Sequence, residues 1–275
     1  LLLALVADPA VQQSAIQALA EFDEAATAQR LIELYPALPS AARVDAVQTL
    51  ASRRAWAAAL LDATDAGIVP VADLSAFAAR QVQSLGDQAL TSRLERLWGT
   101  VRSTSSDKAQ QIAGFRQVLT AEALGKADRS QGRLVFQRTC AHCHRFFDDG
   151  GAIGPNLTGS QRTNLDYLLQ TIVDPSAAVA RDYQMQIITT TAGRVLTGLV
   201  VDESPAALTV QTVNEKVVVP RVEIEERVAS SQSMMPEGML QALSSEQLRQ
   251  LFGYLMGPDQ PPLPAGPSAA ESVPK

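Results

Sequence analysis

The chain has 275 residues, 46% of them hydrophobic, with 29 acidic against 23 basic side chains and a net charge of −6. That length accommodates two or three domains, and the composition is that of an ordinary globular chain rather than of a strongly basic, nucleic-acid-binding one. No stretch reads as a transmembrane helix.

Residues 1–100 are rich in alanine and leucine and carry no chemical motif. Asp8-Pro9, Pro39-Ser40 and Val69-Pro70 recur at about thirty-one residues, and each opens a pair of amphipathic patterns: 10–20 with 23–35, 41–52 with 54–66, and 73–85 with 87–98. Helix pairs at such a period bury their apolar faces only by stacking on one another. The pattern therefore predicts a HEAT-like α-solenoid of about three units, with an irregular helical bundle as the alternative. Trp56 and Trp98 are expected to pack between helices, and Arg53-Arg54 to form a solvated face. Leu1–Val6 is too short for a signal h-region and lacks a basic flank, so it reads as the end of a further repeat helix. Residues 101–127 follow as a linker, rich in Ser and Thr over 101–108, and a connecting helix.

In the next segment, Gly132, Phe136 and Cys140 recur at four-residue steps, which places them on one face of a helix capped near Asp128 or Ser130. Glycine on that face lets another helix come close. The helix runs into Cys140-Ala141-His142-Cys143-His144. Two cysteines spaced by two residues and followed at once by histidine form the attachment signature of a c-type haem. Both thiols add to the vinyl groups of one porphyrin, and the adjacent His144 then lies beneath the iron as its proximal ligand. The other ring nitrogen of His144 is left to donate a hydrogen bond that sets the ring's orientation. The chain's two cysteines and two histidines all stand in this pentapeptide, so a zinc site would have to recruit carboxylates. A thioredoxin-like motif would need a βαβ setting that the flanks lack, and a plain disulfide is the remaining alternative.

Gly150–Pro155 is, taken alone, a turn. Segments 183–190, 194–201, 208–213, 216–219 and 223–228 are rich in β-branched residues and partly alternate, with turns at Ala192-Gly193, Ser204-Pro205 and Asn214-Glu215. They predict a small curled sheet or partly open barrel of SH3 or Sm type over 183–229. Its four basic against six acidic residues argue against nucleic-acid binding. Met234, Met235 and Met239 cluster beyond it, with Pro236 stiffening the backbone after Met235. His142, between the tethered cysteines, cannot reach the opposite face of the iron, so methionine is the candidate sixth ligand. Met185 and Met256 are read as packing. Ser244 or Ser245 caps a last helix with Leu248, Leu251, Tyr254 and Leu255 as its apolar stripe. Residues 257–275, with six prolines, read as a disordered or extended tail.

Gly132-x-x-x-Phe136, the Leu251-x-x-Tyr254-Leu255 element, the haem motif and Gly154-Pro155-Asn156-Leu157 together resemble class I cytochrome c. That family crosses its first and last helices at such residues. The resemblance implies that the Pro155 carbonyl accepts the hydrogen bond of His144, that Leu157 packs on the porphyrin, and that the ligand methionine stands just before a proline. It thus favours Met235, with Met234 as the alternative. His144 and Met235 are 91 positions apart, so the β segment is an insertion into a 128–256 cytochrome. A cytochrome c split in this way is similar to the haem-binding domain typical of Planctomycetes and Verrucomicrobia over roughly residues 105–257. The fold class is thus mainly α: a HEAT-like solenoid followed by a cytochrome c fold carrying an inserted β-domain.

The resemblance implies one haem c per chain in a secreted or periplasmic protein whose precursor carries an export signal. A His/Met-ligated iron favours one-electron transfer. The role this resemblance implies is the electron-accepting module of a larger dehydrogenase, such as a sugar dehydrogenase, with a cytochrome or membrane component as acceptor, rather than an enzyme in itself. The alternatives are a haem peroxidase or gas sensor with a labile or absent sixth ligand, and a repeat-based interaction scaffold.

Overall fold

A computed structural model describes residues 1–158 and 162–264. Its contacts divide the chain into two compact units: Leu1–Ser103 with Ser176–Met234, and Thr104–Pro175 with the chain from Met235 onward.

In the first unit the amphipathic patterns become α1 (Leu2–Leu5), α2 (Gln12–Leu19), α3 (Ala26–Leu34), α4 (Ser40–Ala51), α5 (Arg54–Asp65), α6 (Ala76–Ser84) and α7 (Gln88–Leu97). Later starts are set by caps: the Ser75 hydroxyl accepts from the Ala78 N–H, and the Asp87 carboxylate accepts from Ala89 and Leu90. α2 packs on α4 and α4 on α6, while α3 packs on α5 and α5 on α7. First and second members of successive pairs thus lie against their own kind. Ile16, Leu31, Leu50, Leu60, Leu61 and Leu94 close one continuous core. Trp56 and Trp98 are buried in it as expected, and the Trp98 indole N–H donates to Leu74 O at 2.6 Å. Arg54 is exposed, but Arg53 departs from the solvated face expected of it. Its guanidinium lies 4.9 Å from the Trp56 ring centroid and donates to Ala20 O, because a planar cation can cover an indole face while one edge still reaches an acceptor.

β1 (Gly99–Val101) pairs antiparallel with β2 (Ala178–Ala180), tying the end of the helical array to the segment that leads into the sheet. Neither strand has a readable alternation, since each is three residues long. β3 (Gln184–Thr190), β4 (Val195–Glu203), β5 (Ala207–Gln211), β6 (Lys216–Pro220) and β7 (Ile224–Ser233) form an antiparallel sheet in the order β6-β5-β4-β3-β7. Ile188, Leu196, Leu208, Val210 and Val219 bury one face. β6 and β7 are its edges, so the pairing gives an open five-stranded sheet rather than a closed barrel. β7 runs past the expected end at residue 228, because a register shift between Gln184 and Gln186 lets Ser233 pair with Gln184.

The second unit comprises α8 (Ser106–Val118), α9 (Ala121–Gly125), α10 (Arg129–Thr139), α11 (Leu165–Val173) and α12 (Ser245–Leu255). Asp128 caps α10, Asn164 caps α11, and Ser244 with Gln247 forms a reciprocal capping box on α12. α10 crosses α12 in close contact. A Cβ on Gly132 would stand 2.0 Å from Gln250 O and 2.7 Å from Tyr254 Cβ, so no larger residue fits. Phe136, Leu251, Phe252, Tyr254 and Leu255 fill the crossing. Residues 257–264 follow α10: Arg129 pairs with Asp259, and Arg133 donates to Pro261 O at 2.6 Å. The rest of the expected tail, 265–275, lies outside the described residues.

Gly132→Ala should destabilise this unit by about 3 kcal/mol, because neither helix backbone can retreat without opening the core. A urea titration should show a lower midpoint at an unchanged slope. An unchanged midpoint would contradict the tight crossing.

Candidate functional site

α10 ends by winding directly into the motif. Cys140 and Ala141 N–H both donate to Phe136 O, at 2.8 and 3.0 Å, and Cys143 and His144 N–H both donate to Cys140 O, at 3.1 and 3.0 Å. One tight turn therefore carries both thiols and the imidazole. A second segment clamps it through three backbone bonds of 2.8 Å: Gly151 N–H to Ala141 O, Gly154 N–H to Cys143 O, and Leu157 N–H to Arg145 O. Between them His144 Nδ1 stands 2.9 Å from Pro155 O. A carbonyl only accepts, so Nδ1 carries the proton and Nε2 presents its lone pair. A Cβ on Gly154 would meet the ring, 2.6 Å from His144 Cε1, so glycine is what lets this segment lie against the imidazole.

Cys140 and Cys143 are half-buried free thiols. Burial pushes both above the ordinary thiol range, with a Thr139 hydrogen bond opposing this at Cys140, so neither is poised as the thiolate that disulfide exchange requires. Burial lowers the His144 pKa, against the opposing pull of the Pro155 bond, which favours the neutral imidazole that a metal ligand must be.

The turn rests on an aromatic cluster. Phe136, Phe146 and Tyr254 meet edge to face, with centroids 5.0 to 5.7 Å apart. Phe146 is fully buried, and Phe147 beside it takes φ 51° with its N–H on Thr158 Oγ1 at 2.8 Å. The Arg162 guanidinium stacks 5.3 Å from each of these two rings and donates to Leu255 O at 3.2 Å, joining the end of α12 to the motif's floor. Asp149 accepts from Arg133 Nε at 2.8 Å and Gln137 Nε2 at 3.3 Å, which pins the turn after the motif to α10.

The structure thus brings together Cys140, Cys143, His144, Pro155 and Phe136, and seats Leu157 at the edge of the same core. Met234 and Met235 are both half-buried in the segment between β7 and α12. Met256 packs against the core, as expected. Phe146, Arg133, Asp149 and Arg162 escaped the sequence reading. Only the Phe146-Phe147 pair directly behind the motif offered a signal, since the polar contacts join positions far apart in the chain.

Two free thiols and a neutral, pre-oriented imidazole in one turn, over an apolar floor, fit a covalently held haem. A site built this way at the end of a helix crossed by α12 is that of a c-type cytochrome. Residues 127–186 match the family of cytochrome c oxidase, cbb3-type, subunit III, so this part of the chain is a cytochrome c haem domain similar to that of the subunit. The match covers about a fifth of the chain. Its Cys140/Cys143 spacing is consistent with one haem c. No curated protein matches the chain. Among the described residues no helix is long and apolar enough to cross a membrane.

The hydrogen bond from Arg133 holds Asp149 below the ordinary aspartate range. A carboxylate depressed in the folded state stabilises it fully above the unfolded value of about 3.9, and the contribution disappears as pH falls through the lower folded value. Asp149→Asn should therefore cost at most about 1 kcal/mol at neutral pH and flatten the acid limb of the stability profile. Equal acid limbs in the two proteins would contradict this.

Proposed function

We propose that the chain is a one-electron carrier whose haem is tethered by Cys140 and Cys143 and ligated by His144 and Met235. The observation that carries this reading is the pre-oriented His144, with its proton engaged by Pro155 O and its other nitrogen available. When bound, the group supplies reversible one-electron chemistry at an iron whose potential a thioether ligand raises. The chain's own residues hold and orient: the thiols fix position covalently, Gly154 and Pro155 fix the imidazole, and Phe136, Phe146 and Leu157 furnish an apolar surround. Met235 is preferred to Met234 because it stands directly before Pro236, as the resemblance to class I cytochrome c favours, and because that proline restricts its backbone.

Both histidines stand inside the motif, which leaves no distal imidazole for peroxide chemistry and supports electron carriage over a peroxidase. We read the helical pairs as a HEAT-like array, supported by the packing of α2, α4 and α6 in one row and α3, α5 and α7 in another. The sheet is read as an SH3- or Sm-like module inserted at 183–229 into a haem domain spanning 128–256, as in the Planctomycetes-type proteins it resembles. That resemblance supports a secreted or periplasmic setting, a dehydrogenase donor and a cytochrome or membrane acceptor.

Met235→Ala should abolish the sulfur-to-iron absorption of the oxidised protein and lower the potential by on the order of 0.1 V, within the roughly 0.8 V that axial ligands span. Met234→Ala should do neither. The reverse outcome would contradict the assignment.

A further inference from the structure

We propose that α8 braces the methionine loop, with Lys108, Glu237 and Gln111 as positioning residues that hold Met235 toward the iron. This rests on the reading of Met235 as the sixth ligand. Lys108 Nζ donates to Val173 O, at the end of α11, at 3.0 Å, and its ammonium also pairs with the carboxylate of Glu237, two residues beyond Met235. Gln111 lies one helical turn further along α8, on the same face, and its Oε1 accepts from Gln241 Nε2 at 2.8 Å. The opposite end of α8 is fixed to α11 as well, through Arg116 and Asp166 at 2.6 Å.

These contacts explain what α8 is for. Ile112 is its one buried residue and Phe115 packs against the same core, while its polar side chains supply further attachments. The Lys108 side chain is 19% exposed against 47% for Glu237, so the cation is seated beneath the loop while the carboxylate reaches down to it from the wetter side. An ion pair with one seated partner holds geometry better than one between two free side chains, which must each give up rotamer freedom. Leu240, three residues on, is buried in the same core. The loop is thereby fixed at Glu237, Leu240 and Gln241, and Pro236 alone separates Met235 from the first of these points.

The chemistry demands such a brace. A thioether is a neutral, soft and weak donor, so its occupancy of the iron depends on how seldom the loop that bears it swings away. Loop opening admits an outside ligand, and its frequency rises when a restraint on the open-to-closed equilibrium is removed.

The test uses the full, haem-loaded chain in the oxidised state and measures the rate at which imidazole replaces the sulfur ligand, followed by loss of the sulfur-to-iron absorption. Lys108→Met and Glu237→Gln should each accelerate uptake about fivefold, the upper range for a partly exposed ion pair. The double variant should be no faster than Lys108→Met alone, because the Lys108–Glu237 pair is already broken in that single variant. Lys108→Arg should return the parental rate, which a merely structural role for the lysine stem would not require. Helix content by circular dichroism accompanies each variant, and should Lys108→Met lose helix, the Glu237→Gln arm decides alone. Parental rates in Glu237→Gln, or effects that multiply in the double variant, would overturn the brace. Met235→Ala separates the two levels of the argument. Retention of the absorption in that variant overturns the ligand reading and the brace with it. Loss of the absorption there, beside parental rates in the Lys108 and Glu237 variants, leaves the ligand standing and overturns the brace alone.

Discussion

The orientation of one imidazole governs this molecule's haem domain. His144 is held by a hydrogen bond to Pro155 O on one side and by the bare face of Gly154 on another, with three backbone bonds lacing the two segments together. A histidine free to rotate would offer either nitrogen in any direction. Here the proton is committed to a carbonyl, so the lone pair of the other nitrogen points one way. Removing the carbonyl's position, the glycine's smallness or the lacing would each return the ring to the freedom that weak sites show.

The rest of the second unit exists to keep that turn in place. Gly132 lets α12 lie on α10, the aromatic trio fills the space beneath the motif, and Arg133, Arg162 and Lys108 carry charge into half-buried positions where each tethers a loop. Arginine suits the first two tasks because its planar fork donates to several acceptors while its face stacks on rings. The first unit obeys a different logic, with helix rows and an open sheet each burying its own apolar face and joined by a three-residue ribbon pair. The fold therefore separates the haem-domain unit from a unit of helices and sheet within a single chain that passes from one to the other more than once.

Much of this was legible because it depends on near neighbours in sequence. The helix pairs of residues 1–100 declare themselves through their 3.6-residue period, the strands of 183–229 through β-branched alternation, and the motif through spacing that little other chemistry requires. What escaped was non-local. No pattern in Gly150–Pro155 reveals that Gly154 lies on an imidazole ten residues earlier, and none in Lys108 reveals a partner at Glu237. Three-residue strands such as Gly99–Val101 fall below the length at which alternation can be seen, and the extension of β7 to Ser233 along β3 depends on a register shift that the sequence does not mark. The misreading of Arg53 has the same origin, because a charged residue looks solvated until the tryptophan beneath it is placed.

The most direct measurement is the mass of the denatured, acid-extracted polypeptide made in cells with a working haem-attachment system. The account predicts a chain heavier than its sequence by one haem and still coloured after extraction, the colour following a fragment that contains Cys140 and Cys143. A colourless polypeptide of sequence mass would contradict it.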